Sequence, residues 1–343
     1  MTKTLRPRRI ATALAVTAAA ALALTACGSS GGDSSGGGGG SKKVNIVAFS
    51  VPKPAYDAAE KAFKETDKGK GVSFSESYDA SGSQSKAVAS GKPADYVGFS
   101  LTPDMTRLVP DFVDKGWDSG KTKGIVSTSV VVIATRPGNP KKITGWDDLI
   151  KPGVKIVTPD PASSGSAKWN ILAAYSHVLA DGGSDADAQA YLKKFFANVV
   201  SKPSSGADAT QTFTSGTGDV LISYENEAIH ARQTGSKIDY IVPDESFLIQ
   251  NPGAVTKKAP QAAKDFLAYV QSADGQKIFA SNGFRPVDPS VDPGTVKGAN
   301  DPAKPFPTVK KLWTIDKLGG WSKVNDEFFD EDKGIVTKIE AGS

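Results

Sequence analysis

Residues 154–180 place a β-branched run, a turn with two prolines and a helical pattern in immediate succession. Val154 to Val157 is followed by Thr158-Pro-Asp-Pro-Ala-Ser-Ser-Gly-Ser-Ala-Lys-Trp-Asn170 and then by the body of a helix. A strand that feeds a helix through so short a loop is one half of a βαβ unit, so the stretch commits its neighbourhood to α/β architecture. The same loop aims Ser163-Ser-Gly-Ser166 at a helix N-terminus. The first amides of a helix have no intrahelical acceptor, and the helix dipole adds partial positive charge there. Such an end binds an anion without a charged side chain.

The alternation continues along the chain. Strand patterns fall at 44–49, 72–77, 94–99, 126–134, 154–157, 220–224 and 238–242, and helical spacing at 55–63, 83–90, 167–180, 185–198, 260–271 and 275–283, with a helical turn at 146–149. Two further loops resemble the one at 163–166. Asp79-Ala-Ser81-Gly-Ser-Gln84 reads as a capping box, Ser81 with Gln84 three residues on. Pro203-Ser-Ser-Gly206-Ala-Asp208 precedes a short helical stretch at 209–213. One such loop is an ordinary helix start, whereas three suggest a shared anion. The aromatic tail (Phe306, Trp313, Trp321, Phe328, Phe329) is expected to wrap the first lobe. Segments crossing between lobes are expected near 127–135 and 238–243.

Lys3, Arg6, Arg8 and Arg9 precede an apolar run at 10–24 that is too short to span a membrane comfortably. Residues 1–26 read as a signal peptide ending in Leu24-Thr25-Ala26-Cys27, which resembles the lipobox of bacterial lipoproteins. That resemblance implies cleavage before Cys27 and its acylation, giving a lipid anchor on the outer face of the cell membrane. Cys27 is the only cysteine, so no internal disulfide can form. Residues 27–42, almost all Gly and Ser after the cysteine, form a flexible tether with an r.m.s. span of ~20 Å. The net charge of +4 belongs to the signal: without its four basic residues, 37 basic face 37 acidic ones. A neutral mature chain has no basic surplus for nucleic acid.

No catalytic constellation emerges. The two histidines, His177 and His230, form no cluster with metal-ligand spacing, and no cofactor is expected. His177 lies roughly 18 Å along its helix from Gly165 and cannot serve the same site. Ser164 has no neighbouring base in the sequence. Glu225 and Glu227 read as polar positions at a strand end.

Gly138-Asn-Pro-Lys141, Trp146-Asp-Asp-Leu149, Val157-Thr-Pro159 with the loop that follows it, Gly218-Asp-Val-Leu-Ile-Ser-Tyr-Glu-Asn-Glu-Ala228 and Gly283-Phe-Arg-Pro286 occur in one order. Together they resemble the sulfate- and thiosulfate-binding proteins of ABC importers over residues 44–340. The resemblance implies a two-lobed type II periplasmic-binding-protein fold, with lobe I at 43–130 and 243–343, lobe II at 131–242, and ligand in the cleft. It implies a monomeric carrier that serves a permease and its ATPase, not an enzyme. Carried over by motif position, the donors are the amides of Ser81, Gly165, Ser166 and Gly206 and the hydroxyls of Ser164 and Tyr224. The family commonly has Trp at position 224, Gly at 166 and Arg at 168, where this chain has Tyr, Ser and Lys, and its first strand usually ends in Tyr-Asp, whereas here Ser50-Val51-Pro52 follows. These departures leave sulfate, thiosulfate, molybdate, tungstate and phosphate as candidate anions. An anchored extracytoplasmic enzyme acting on an anionic substrate is the alternative class.

Overall fold

The computed structural model describes residues 42–342. The signal segment, Cys27 and the tether to Ser41 lie outside the described residues. The first group of elements is β1 (Lys43–Phe49), α1 (Lys53–Lys64), β2 (Ser73–Asp79), α2 (Ser81–Ala89), β3 (Tyr96–Gly98) and α3 (Thr102–Thr106). Next come β4 (Ile125–Thr135), a 3-10 turn at Trp146–Ile150, β5 (Ile156–Val157), α4 (Gly165–Ala180), α5 (Asp185–Ala197), β6 (Val199–Ser201), α6 (Gly206–Thr214), β7 (Val220–Tyr224), α7 (Glu225–Gln233) and β8 (Asp239–Ile241). The chain ends with β9 (Glu245–Val255), α8 (Gln261–Val270), α9 (Ala273–Ser281), β10 (Lys311–Trp313), α10 (Gly320–Phe328) and α11 (Ile335–Ala341).

The strands join in the order β2-β1-β3-β9-β4-β7-β5-β6, with β10 beside β9 and β8 beside β4. β2, β1 and β3 are parallel, as are β7, β5 and β6, and each trio carries its own helices. β4 and β9 run antiparallel between the trios. All eleven residues of β4 are buried, and a strand with no polar face belongs at the centre of a sheet. Its first half (125–130) pairs with β9, and its second half (131–135) with β7. β9 in turn pairs with β3 through 253–255. The strand at 239–241 pairs with β4 alone, so the second strand common to both halves is β9 and not the segment predicted at 238–243.

β9 escaped the sequence pattern because Asn251-Pro252-Gly253 reads as a turn. The fold accommodates it: the register shifts between Ile125 and Ser127 opposite Pro252, so the missing N–H falls at an irregularity. A Cβ at Gly253 would lie 2.7 Å from both the Tyr96 hydroxyl and Val126 Cγ1, so only glycine fits there. α7 was also missed; Glu225 and Glu227 stand in its first turn rather than at a strand end.

The tail corrects another expectation. Trp321 meets Trp169 edge-to-face at 4.8 Å, Phe328 meets Tyr175 at 4.7 Å, and Lys202 bonds Glu340 at 2.7 Å. Residues 321–340 therefore pack on α4 and beside β6, not on the first lobe, while Trp313 pairs with β9. The cause is α4, buried through most of its circumference: a helix apolar all round needs cover on both sides. Among the described residues no helix is long and apolar enough to cross a membrane.

Candidate functional site

The site grows from the mouth of α4. The loop after β5 turns at Asp160, whose carbonyl accepts Ser164 N at 2.8 Å, so Ser164 enters the helix as its N-cap in extended conformation. Its side chain makes no capping bond. The Gly165 and Ser166 amides find no acceptor among the described residues, and both residues are buried. An orphaned amide out of water costs about as much as a lost hydrogen bond. These donors point to an acceptor from outside the chain.

Two more helix mouths meet this one. At α2, the predicted capping box does not form. Ala80 is the N-cap, and Ser81 is the first helical residue. The Ser81 hydroxyl donates to Asp104 Oδ2 at 2.6 Å and accepts from Ser100 N at 2.9 Å, while Gln84 turns to Ser77 and Lys92. Ser81 thus braces the loop after β3, and its own amide has no acceptor among the described residues. Gly82 N bonds Ser163 O at 3.3 Å, tying the mouth of α2 to that of α4. At α6, Ser205 caps the helix by accepting from Asp208 N at 3.1 Å, and the Gly206 amide has no acceptor among the described residues.

Glycine is needed where these mouths touch. A Cβ on Gly165 would lie 2.7 Å from Ser100 Cβ and Oγ, and one on Gly206 would lie 2.8 Å from both Ser166 Oγ and Val51 Cγ2. The second contact exposes what the motifs missed: buried Val51, just ahead of α1, whose amide also lacks an acceptor among the described residues. Its signal in the sequence was Pro52, which starts a helix after a strand.

Tyr224 ends β7 and is fully buried. Its hydroxyl is 2.7 Å from Ser100 Oγ, with Ser166 and Asn251 as further hydrogen-bonding neighbours. Burial pushes its pKa well above that of a free phenol, so it keeps its proton at neutral pH. Ser100 and Asn251 are further residues the sequence reading missed. The Ser100 carbonyl collects Trp169 Nε1 and Asn251 Nδ2, both at 3.1 Å, and this locks the network around Tyr224. Ser81, Ser164, Gly165, Ser166, Gly206 and Tyr224 are thereby brought into one cluster.

Formal charges stand outside it. Asp104 is bonded to Ser81 and Arg107, and Glu225 is clamped by Arg285 at 2.6 and 3.1 Å. Lys168 points into a surface groove of about 400 Å³ beside Ser164, where its ammonium lies 4.6 Å from the Phe329 ring centre and burial lowers its basicity.

Residues 44–285 match the family model described as bacterial extracellular solute-binding protein. A sulfate-binding protein of Synechococcus elongatus is 36% identical over 95% of this chain and 94% of its own. A thiosulfate-binding protein of Pseudomonas aeruginosa is 32% identical over 83% and 87%. The solved sulfate-binding protein SubI of Mycobacterium tuberculosis is 44% identical, superposes with a TM-score of 0.78, and covers 84% of this chain and 99% of its own. With the two strand trios joined through β4 and β9, these matches make the fold a two-lobed type II α/β fold, and the chain belongs to the bacterial extracellular solute-binding protein family.

Proposed function

We propose that the protein captures sulfate, or thiosulfate, outside the cytoplasm and delivers it to an ABC permease driven by its ATPase. The observation that carries this reading is the meeting of three helix mouths with buried, acceptor-free amides and no formal charge among them. A tetrahedral dianion that can only accept hydrogen bonds complements a set of groups that each offer it an N–H or O–H. The donors are the amides of Ser81, Gly165, Ser166 and Gly206 and the hydroxyls of Ser164 and Tyr224, to which we add the Val51 amide. Each hydrogen bond to a charged group contributes ~1.5–3 kcal/mol. Similar names among the relatives support sulfate over molybdate, tungstate or phosphate.

Capture proceeds by closure about β4 and β9. Lobe I comprises 43–130 and the first part of 243–343, lobe II comprises 131–242, and the C-terminal helices ride on lobe II. With the lobes apart, Gly82 and Ser163 separate and the anion enters. Its donors then come from both lobes, so it binds the closed state better than the open one, and that differential affinity drives closure. The protein acts as a carrier and not an enzyme, as a monomer, anchored through a lipid on Cys27 with the Gly/Ser segment as its tether. Calorimetric titration against sulfate, thiosulfate, molybdate, tungstate and phosphate tests the reading: saturable one-to-one binding of the first two, without turnover, supports it. Preference for any of the other three would reassign the cargo.

A further inference from the structure

At the opposite end of α4, His177 stands among carboxylates. Its ring is held between Trp146 and Tyr191, at centroid distances of 6.4 and 5.6 Å. Its Nε2 lies 3.1 Å from Asp147 Oδ1. A carboxylate can only accept, so Nε2 carries the proton, and in the neutral ring Nδ1 is a lone pair. That side chain is 7% exposed, and Nδ1 makes no hydrogen bond among the described residues. What faces it are two more acceptors, Glu245 Oε2 at 3.6 Å and Asp181 Oδ2 at 4.0 Å. Three potential ligand atoms, one from each residue, lie within 4.8 Å of one another.

We propose that His177 Nδ1, Asp181 and Glu245 form a binding site for a divalent first-row transition metal. Imidazole and carboxylate ligands suit such an ion, and ligand atoms at ~2.0–2.2 Å from zinc sit ~3.3 Å apart, so the two carboxylates, now 3.6 and 4.0 Å from Nδ1, have only to draw in on binding. Asp147 on Nε2 fixes the tautomer, as the second carboxylate of a carboxylate–histidine–metal unit does. Charge agrees: Lys311 bonds Asp181 Oδ1 at 2.6 Å and Glu245 Oε1 at 3.3 Å, leaving the other oxygen of each carboxylate toward Nδ1. Three carboxylates against one ammonium leave two negative charges for a divalent cation. Asp181 is half exposed, so the ion has a way in. The site ties the C-terminus of α4 to the start of β9, a strand common to both halves of the sheet.

The test uses tag-free protein in chloride buffer at pH 7.5, with ZnCl2 as the probe. One-to-one binding by calorimetry and a zinc-dependent rise of several degrees in melting temperature, reversed by chelator, are expected. Asp181→Asn and Glu245→Gln, each shown folded by circular dichroism, should each weaken zinc at least tenfold. Anomalous scattering from zinc-soaked crystals should place the ion on His177 Nδ1. The proposal is overturned by absence of saturable binding, by zinc affinity in both variants unchanged from the parent, or by zinc density elsewhere.

Discussion

The two ends of α4 face opposite tasks with the same backbone. At its N-terminus, Ser164, Gly165 and Ser166 present donors, and the neighbouring mouths of α2 and α6 add more, without a formal charge. At its C-terminus, roughly 18 Å away, His177, Asp181 and Glu245 present acceptors. Helix polarity sorts them: free N–H groups and partial positive charge gather at one end, free C=O groups and partial negative charge at the other. The lesson is that a charged ligand can be matched to the direction of a helix, with side chains only refining the match.

The comparison breaks most easily at the donor end. Gly165→Ala puts a methyl 2.7 Å from Ser100 and 2.8 Å from Leu101 Cγ. Closure then fails, and several charge-assisted bonds go with it. Sulfate affinity by calorimetry should fall roughly 1,000-fold or more, while the ligand-free melting temperature moves by a few degrees at most. Retention of near-native affinity would show that α4 is not the anion's seat.

Removing one donor has a smaller effect. Ser164→Ala should weaken sulfate roughly 10- to 150-fold with little change in stability, since its hydroxyl caps nothing. Tyr224→Phe should weaken sulfate by a similar factor. It should also cost ~1 kcal/mol of stability in denaturant titrations, because Ser100 Oγ loses its partner. Full affinity in Tyr224→Phe would reduce that residue to packing.

A fourth helix mouth sharpens the contrast. α7 carries Glu225 and Glu227 in its first turn, so carboxyl groups of the chain itself already stand in that turn. Glu227 is buried, and burial pushes its pKa up to about 7. An unfolded chain ionises near ~4.3, so the folded state holds this proton more tightly. The stability it contributes is present below ~4.3 and is lost as pH rises toward 7. Glu227→Gln should therefore stabilise the protein at pH 8, by ~1–3 kcal/mol, and flatten stability against pH in urea titrations. A variant no more stable than the parent at pH 8 would contradict this. The smallest effect on binding belongs to Cys27→Ser, which should abolish lipid modification yet leave sulfate affinity unchanged. Lipid modification persisting in that variant would sink the anchor.

Much of this was legible in the sequence because the proposed anion site is made of local punctuation. Ser-Ser-Gly-Ser after a strand and Ser-Ser-Gly before Ala-Asp announce helix starts, and the six donors lie on such starts or at the end of β7. Val51, Ser100 and Asn251 were not legible. Val51 matters only because Gly206 folds against it, and Asn251 sits in a strand disguised by Pro252 and Gly253. The capping box at Ser81 misled because tertiary contact with Asp104 and Ser100 outcompeted the local one. The cluster at His177 escaped for a similar reason. His177 and Asp181 have helical i, i+4 spacing, but Glu245 arrives from β9 and Asp147 from the 3-10 turn, and no sequence interval joins them.

The central claim is that the cradle holds a dianion through donors alone, and titrating sulfate and phosphate at pH 5.5 and 8 tests it most directly. Backbone amides, the Ser164 hydroxyl and the buried phenol of Tyr224 do not titrate in this range. Sulfate affinity should vary less than tenfold, and any residual slope should vanish in Glu227→Gln, whose charge in the parent reaches Tyr224. Phosphate keeps a proton that needs an acceptor. Leaving it unpaired costs ~1–3 kcal/mol or more, so phosphate should bind far more weakly at both pH values. Comparable phosphate binding would mean that an acceptor serves the phosphate proton, and a steep dependence of sulfate on pH that survives Glu227→Gln would mean that a titrating group lines the cleft; either result makes the donor-only cradle wrong.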